Sequence, residues 1–218
     1  MNNRGIFIAI EGPIGVGKTT LSAILNEHFG YSPLREIVEE NPFLSKFYTD
    51  IKEYALQTEA FFLFNRLKQL DDIEKYELSQ GKGVVSDYHI IKNLIFAGLT
   101  LDKMHFHKYK QMYNIFVNDL PQPDIIVYLN SNTDTLMKRI TMRDRSFERQ
   151  MSRDYIEGLR LEYKYYFNPL SIKHNFMGKE PIIVEIDNSE LDFLNNDNDR
   201  KFIINKIEEV INTLGGQA

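Results

Sequence analysis

The chain has 218 residues, with 26 basic and 31 acidic side chains and a formal net charge of -5. That length suits one globular domain, taken as residues 1–218. A chain this acidic lacks the diffuse positive field of a general nucleic-acid binder, so any cationic chemistry must be local. With no cysteine, a disulfide framework, thiolate zinc sites and a cysteine nucleophile are excluded. No leader pattern precedes the first apolar run, and none of the runs reaches the roughly 18 residues that span a bilayer. The expectation is a soluble, cytoplasmic protein with no membrane and no nucleic-acid polymer as partner.

In chain order, four apolar runs rich in β-branched residues predict strands at Ile6–Ile10, Gly83–Val85, Asp124–Leu129 and Pro181–Ile186, with a weaker fifth at Leu34–Val38. None alternates strictly between polar and apolar, as expected of strands covered on both faces of a parallel sheet. Helical spacing predicts helices at Lys18–Phe29, Tyr54–Leu70, Ser152–Phe167 and Arg200–Leu214. Strands alternating with helices define a doubly wound α/β fold. Ligands in such folds bind beyond the carboxyl ends of the strands, so the residues after each apolar run are the candidates for chemistry.

After the first strand comes Glu11-Gly12-Pro13-Ile14-Gly15-Val16-Gly17-Lys18-Thr19-Thr20, which fits G-x-x-x-x-G-K-[ST] in a strand–loop–helix context. The glycines let backbone N–H groups turn inward around phosphate oxygens, and the helix N-terminus adds a favourable dipole. Lys18 is expected to reach the outer phosphates and Thr19 to offer its hydroxyl to Mg²⁺. A switch GTPase would carry an N-K-x-D base-reading motif, which this sequence lacks. A motor ATPase would be longer. A small kinase that passes the γ-phosphoryl group to a second molecule remains.

Between residues 139 and 149, Arg139, Arg143, Arg145 and Arg149 fall within one segment of an acidic chain. Guanidinium forks suit phosphoryl oxygens and developing charge. The segment 139–150 is therefore predicted to be a lid that excludes water during transfer. A solvated helix face, with these arginines paired to Asp134, Asp144 and Asp154, is the plain alternative.

Taken together, Gly12–Thr20, the stretch Glu36-Ile37-Val38-Glu39-Glu40-Asn41-Pro42-Phe43-Leu44, Ser86-Asp87-Tyr88-His89 and the arginine segment resemble the deoxynucleoside kinases, on their bacterial deoxypurine side. The resemblance covers nearly the whole chain. It implies a P-loop kinase with five parallel strands, Mg-ATP as donor, a homodimer, and 5′-phosphorylation of a 2′-deoxynucleoside. By that resemblance Glu36 faces the substrate 5′-hydroxyl and Asp87 lies near Mg²⁺, and either carboxylate could be the base. The lid arginines Arg139, Arg143 and Arg145 meet the phosphates. The family's Asp/Glu-Arg-Ser triplet is Ser86-Asp87-Tyr88 here, so a gapless alignment sets Asp87 on the arginine position. Tyr48 and Glu148 match the pair that holds the sugar 3′-hydroxyl, with Tyr155 beside them. The tract Asp187–Phe193 matches the loop around the donor adenine, and the 57–116 region the dimer face.

The base reader is expected on the helix at Tyr54–Leu70. Anchoring on Arg66 makes it Glu59, and anchoring on the Gln-Thr pair makes it Gln57. Glu59 keeps the family's seven-residue spacing to Arg66, and Lys92 then falls where many relatives have aspartate. A carboxylate only accepts hydrogen bonds, which suits the N1–H and N2–H₂ of guanine, while Arg66 or Lys92 could donate to O6 and N7. Deoxyguanosine is thus the expected substrate, ahead of deoxyadenosine or deoxyinosine. An internal Glu59–Arg66–Lys92 ion-pair network with no base contact is the alternative. Two rival functions stay open: a nucleoside monophosphate kinase, which needs more cations at the acceptor end, and a non-catalytic nucleotide-binding switch.

Overall fold

The structure, a computed structural model, describes residues 4–169, 171–172 and 180–215. Five parallel strands, β1 (Phe7–Glu11), β2 (Ser32–Leu34), β3 (Val84–Ser86), β4 (Ile125–Asn130) and β5 (Ile182–Asp187), form one sheet in the order β2-β3-β1-β4-β5. Successive side chains of a strand face opposite sides. On β1, Phe7 and Ala9 pack with Val84, Ile126 and Tyr128, whereas Ile8 and Ile10 pack with Val85, Ile125 and Val127. Both faces of the sheet are core, which is why its runs are apolar throughout.

The helices are α1 (Lys18–Phe29), α2 (Leu44–Phe47), α3 (Ile51–Tyr76), α4 (Lys92–Thr100), α5 (Lys103–Val117), α6 (Thr133–Arg143), α7 (Arg153–Tyr166) and α8 (Asp197–Gly215). Helix α1 matches its expected bounds, and its end is set by Gly30, whose left-handed φ of 66° turns its N–H back to the Asn26 carbonyl. Helix α3 starts earlier than periodicity implied because Asp50 caps it, accepting from the Glu53 N–H at 3.2 Å. Ser152 caps α7 in the same way through the Tyr155 N–H. Among the described residues, no helix is long and apolar enough to cross a membrane.

Four strands run one residue further toward their C-termini than their apolar runs. The ladder still includes Glu11, Ser86, Asn130 and Asp187, each polar and each the last residue of its strand. The second strand is a clear correction, Ser32–Leu34 in place of Leu34–Val38. It pairs with β3 from Ser32↔Val84 to Leu34↔Ser86, and then the Glu36 N–H turns to the Asp87 side chain at 2.8 Å. The β-branched Ile37 and Val38 thereby leave the sheet and line the cleft. From β3 the chain crosses β1 to reach β4, and the winding reverses beside β1, where the phosphate loop begins.

Candidate active site

A single cleft of about 1220 Å³ opens over the carboxyl ends of β1, β2 and β3. Ligand pockets usually hold about 300–1,000 Å³, so it has room for two small molecules. Residues 14–20 of the phosphate loop line one end. Their shape depends on Gly12, Gly15 and Gly17, with φ of 147°, 83° and 103°, a region that glycine tolerates best. Gly12 and Pro13 sit behind the loop, and their carbonyls accept from Lys18 Nζ at 2.7 and 3.1 Å. Burial, and then the charge of Lys92, lower the Lys18 pKa to about 8, against the pull of Glu11, Glu36 and Asp87.

Across from the loop, the β2–β3 register sets Glu36 beside Asp87. Asp87 Oδ1 accepts from the Glu36 N–H, and Asp87 Oδ2 accepts from Thr19 Oγ1, both at 2.8 Å. Two oxygens this close, on a helix N-terminus and a strand end, suit a hard cation such as Mg²⁺. That ion binds through one or two protein oxygens together with substrate phosphates. The Glu36 carboxylate points the other way, with Oε1 against Arg66 and Oε2 accepting from Lys92 Nζ at 2.6 Å. Burial alone would raise its pKa, but Lys92 and Arg66 outweigh burial and hold it at about 2. Arg66 also donates to Asn93 Oδ1 at 2.6 Å and lies over the rings of Phe62 and Tyr88. The expected Glu59–Arg66–Lys92 set is therefore divided, because both cations converge on Glu36.

Glu59 lines the cleft with 2% of its surface exposed, while Gln57 is exposed on the far side of α3. Its carboxyl accepts from Thr100 Oγ1 at 3.4 Å, and burial raises its pKa to about 8, well above the usual carboxylate range, despite the Arg66 charge. Tyr48 lies parallel to Phe147 with ring centroids 6.3 Å apart and meets Tyr155 edge-on. Burial pushes the Tyr48 hydroxyl pKa up, helped by Tyr155 and Glu148. Glu148 is buried at the lid, where Arg143 grips both of its oxygens at 2.5 and 2.6 Å and Arg145 stands 3.8 Å away.

The lid arginines divide. Arg139 on α6, Arg143 at its end and Arg145 line the cleft, whereas the exposed Arg149 pairs with Asp144. Arg139 donates to the carbonyls of Asn188 and Leu191 at 3.1 and 3.0 Å. Asp187 lies outside the cleft lining, exposed, with its carboxylate capping the Ser189 N–H at 2.9 Å. Side chains alternate at the end of a strand, so Asn188 turns inward instead, donating to the Val16 carbonyl at 2.6 Å.

Sequence reasoning passed over Lys138 and Glu11, and it named Asn188 and Phe193 (beside Gly17) only as members of the tract matched to the donor adenine loop. Glu11 is fully buried. It accepts from the His89 N–H at 2.5 Å, the Tyr163 hydroxyl at 2.9 Å and the Gly12 N–H at 3.1 Å. Its signal was a charged residue ending an apolar strand. In and around the cleft, Thr58 Oγ1, Arg66 Nε, the Tyr155 hydroxyl and Asn188 Oδ1 are buried without a hydrogen-bond partner among the described residues. Such atoms are uncommon, and two of the residues, Thr58 and Arg66, line the cleft.

The phosphate loop lines only one end of the cleft, and acidic side chains at Glu36, Glu59 and Glu148 lie beyond it. Fold and site together define a P-loop phosphotransferase acting on a small molecule. The family described as deoxynucleoside kinase matches residues 8–212, and the chain belongs to that family. It is 42% identical over 209 residues to a deoxyguanosine kinase of Bacillus subtilis, covering 96% of this chain and 99% of the relative. A deoxyadenosine kinase of Lactobacillus acidophilus is 30% identical, with 95% and 97% covered. Among solved structures, deoxyadenosine kinase from M. mycoides with bound dATP superposes with a TM-score of 0.79 at 28% identity, covering 93% of this chain and 99% of that one.

Proposed function

We propose that this deoxynucleoside kinase phosphorylates purine deoxynucleosides at the 5′-hydroxyl with Mg-ATP as donor, and that deoxyguanosine is preferred. The observation that carries the reading is a cleft shared by the phosphate loop, the Glu36 carboxylate and the buried acidic base reader Glu59. Similarity to a relative named deoxyguanosine kinase supports the substrate. The acceptor end is lined by acidic side chains at Glu36, Glu59 and Glu148, a poor setting for a monophosphate, so a nucleoside fits better than a nucleotide.

In this reading Lys18 and the loop N–H groups hold the outer phosphates. Thr19 and Asp87 would hold Mg²⁺, which neutralises charge on the phosphoryl oxygens when bound. Glu36 accepts a hydrogen bond from the 5′-hydroxyl and aims it at the γ-phosphorus. With a pKa near 2 it is a weak base. A loose transition state tolerates this, since little proton transfer is needed before the phosphorus–oxygen bond breaks. Arg143 and Arg145 leave Glu148 in whole or in part to meet the phosphoryl group, which frees Glu148 for O3′ beside Tyr48. Arg139 braces the loop after β5.

We further take the chain to be one domain over 1–218, cytoplasmic, and a homodimer through the 57–116 region. Phe64 and Phe116 touch there, with ring centroids 5.9 Å apart, while about half of each remains exposed. The deciding experiment is ADP release with Mg-ATP across deoxynucleosides, ribonucleosides and their monophosphates. Highest turnover is expected with deoxyguanosine; turnover with a monophosphate alone, or none that depends on an acceptor, would overturn the reading.

A further inference from the structure

We propose that one proton on Glu59 decides which purine the site reads, the neutral acid taking adenine and the carboxylate taking guanine. The inference rests on the assignment of Glu59 as base reader. Its geometric basis is a buried carboxyl with no ion-pair partner among the described residues. Arg66, two turns along α3, turns Nη1 to Asn93 and Nη2 to Glu36, and Lys92 on α4 likewise turns to Glu36. What reaches the Glu59 carboxyl is the Thr100 hydroxyl on α4, at a long 3.4 Å.

The other groups facing it do not supply a counter-charge. Tyr48 beyond α2, Tyr109 on α5 and Tyr155 on α7 are all kept neutral by burial, and Glu36 adds a like charge. The Tyr109 hydroxyl bonds the Glu59 backbone carbonyl at 3.1 Å rather than its side chain. A buried carboxyl without a paired cation keeps its proton, in accord with a pKa raised to about 8 by burial against the pull of Arg66, Thr100 and Lys92.

The two protonation states present different hydrogen-bond patterns. A carboxylate offers two acceptors and pairs with N1–H and N2–H₂ of guanine. A neutral carboxyl offers one donor and one acceptor, and pairs with N1 and N6–H₂ of adenine. Binding deoxyguanosine to the resting protein near neutral pH therefore releases the Glu59 proton to solvent, and binding deoxyadenosine does not. A glutamine in its place is free of this titration and can present its amide either way round.

The test is the ratio of kcat/KM for deoxyguanosine to that for deoxyadenosine, followed from about pH 6 to about pH 8.5 in the wild-type enzyme and in Glu59→Gln. Steps common to both substrates cancel in the ratio. In the wild type it is expected to rise about tenfold per pH unit, and in Glu59→Gln to stay flat. A flat wild-type ratio, with the variant still altering the preference, overturns the proton switch and leaves Glu59 as base reader. A variant that alters neither the preference nor its pH dependence removes the base-reader assignment and the switch together. Calorimetry on the wild-type protein near pH 7, in buffers of differing ionisation enthalpy, gives a second reading that needs no variant. About one proton released with deoxyguanosine and none with deoxyadenosine is expected, and equal release with both overturns the proposal.

Discussion

Lys92 Nζ donates to Glu36 Oε2 at 2.6 Å, joining the first turn of α4 to the segment after β2. Arg66 holds the other oxygen, so one largely buried carboxylate is clamped by two cations. Removing a partner from a buried pair leaves charge uncompensated. With Arg66 still present, Lys92→Met should cost about 1–3 kcal/mol of stability. Urea unfolding of Lys92→Met, Glu36→Gln and the double variant checks this. Strict additivity of the two single effects would show that the clamp carries no coupling energy.

Glu59 sets a pH dependence of stability. Its folded pKa is raised to about 8, from a usual carboxyl value of 4.5. The unfolded chain loses this proton first as pH rises, so the protein binds more protons when folded, and this contribution is lost between those two values. Glu59→Gln should therefore gain on the wild type as pH rises through that window, by on the order of a few kcal/mol, and gain nothing more above it. Denaturant midpoints and slopes at several pH values would show it, and a constant gap would mean that Glu59 is ionised throughout.

Glu148 is gripped by Arg143 in the structure and is assigned to O3′ in the working complex. Glu148→Gln should lower kcat/KM for a 2′-deoxynucleoside by about 1.5–3 kcal/mol, the range of a charged hydrogen bond. With the 2′,3′-dideoxynucleoside, which lacks O3′, the same substitution should have little effect. Equal losses on both substrates would point to lid geometry instead. Arg143→Ala should lower kcat by about 10²–10³ on either substrate.

Gly17 has φ of 103°, and a Cβ there would lie 2.8 Å from Phe193 Cζ. Gly17→Ala must bear a left-handed backbone and displace the ring, at about 1–3 kcal/mol. Thermal unfolding should show the loss, and the stabilisation gained from added Mg-ATP should shrink in the same variant.

The exposed Phe64–Phe116 pair predicts the assembly. Phe64→Glu combined with Phe116→Glu should halve the mass measured by light scattering, with the far-ultraviolet dichroism unchanged. A wild-type protein already at the mass of one chain would remove the dimer.

What could be read from the sequence was what lies together in it. The phosphate loop is contiguous, and its ten residues carry composition, order and context at once. The strands were legible because both faces of the sheet are core, and their one-residue offset arose because hydropathy ends where Glu11, Ser86, Asn130 and Asp187 still pair. The Lys92–Glu36 and Arg66–Glu36 contacts span 56 and 30 residues and depend on strand register, which no local pattern reveals. Asp187 was misplaced relative to Asn188 because a run of polar residues leaving a strand does not show which side each will face.

Glu11 has a consequence for how the two ends of the cleft relate. Its carboxyl joins the entry of the phosphate loop, the turn that carries Asp87 toward Lys92, and Tyr163 on α7. These three stretches lie far apart along the chain, and one side chain serves them as a common pivot. The entry of the donor loop and the acceptor turn are thus bonded to the same carboxyl. A substitution at Glu11 would unsettle both halves of the reaction at once, although Glu11 is assigned no contact with either substrate.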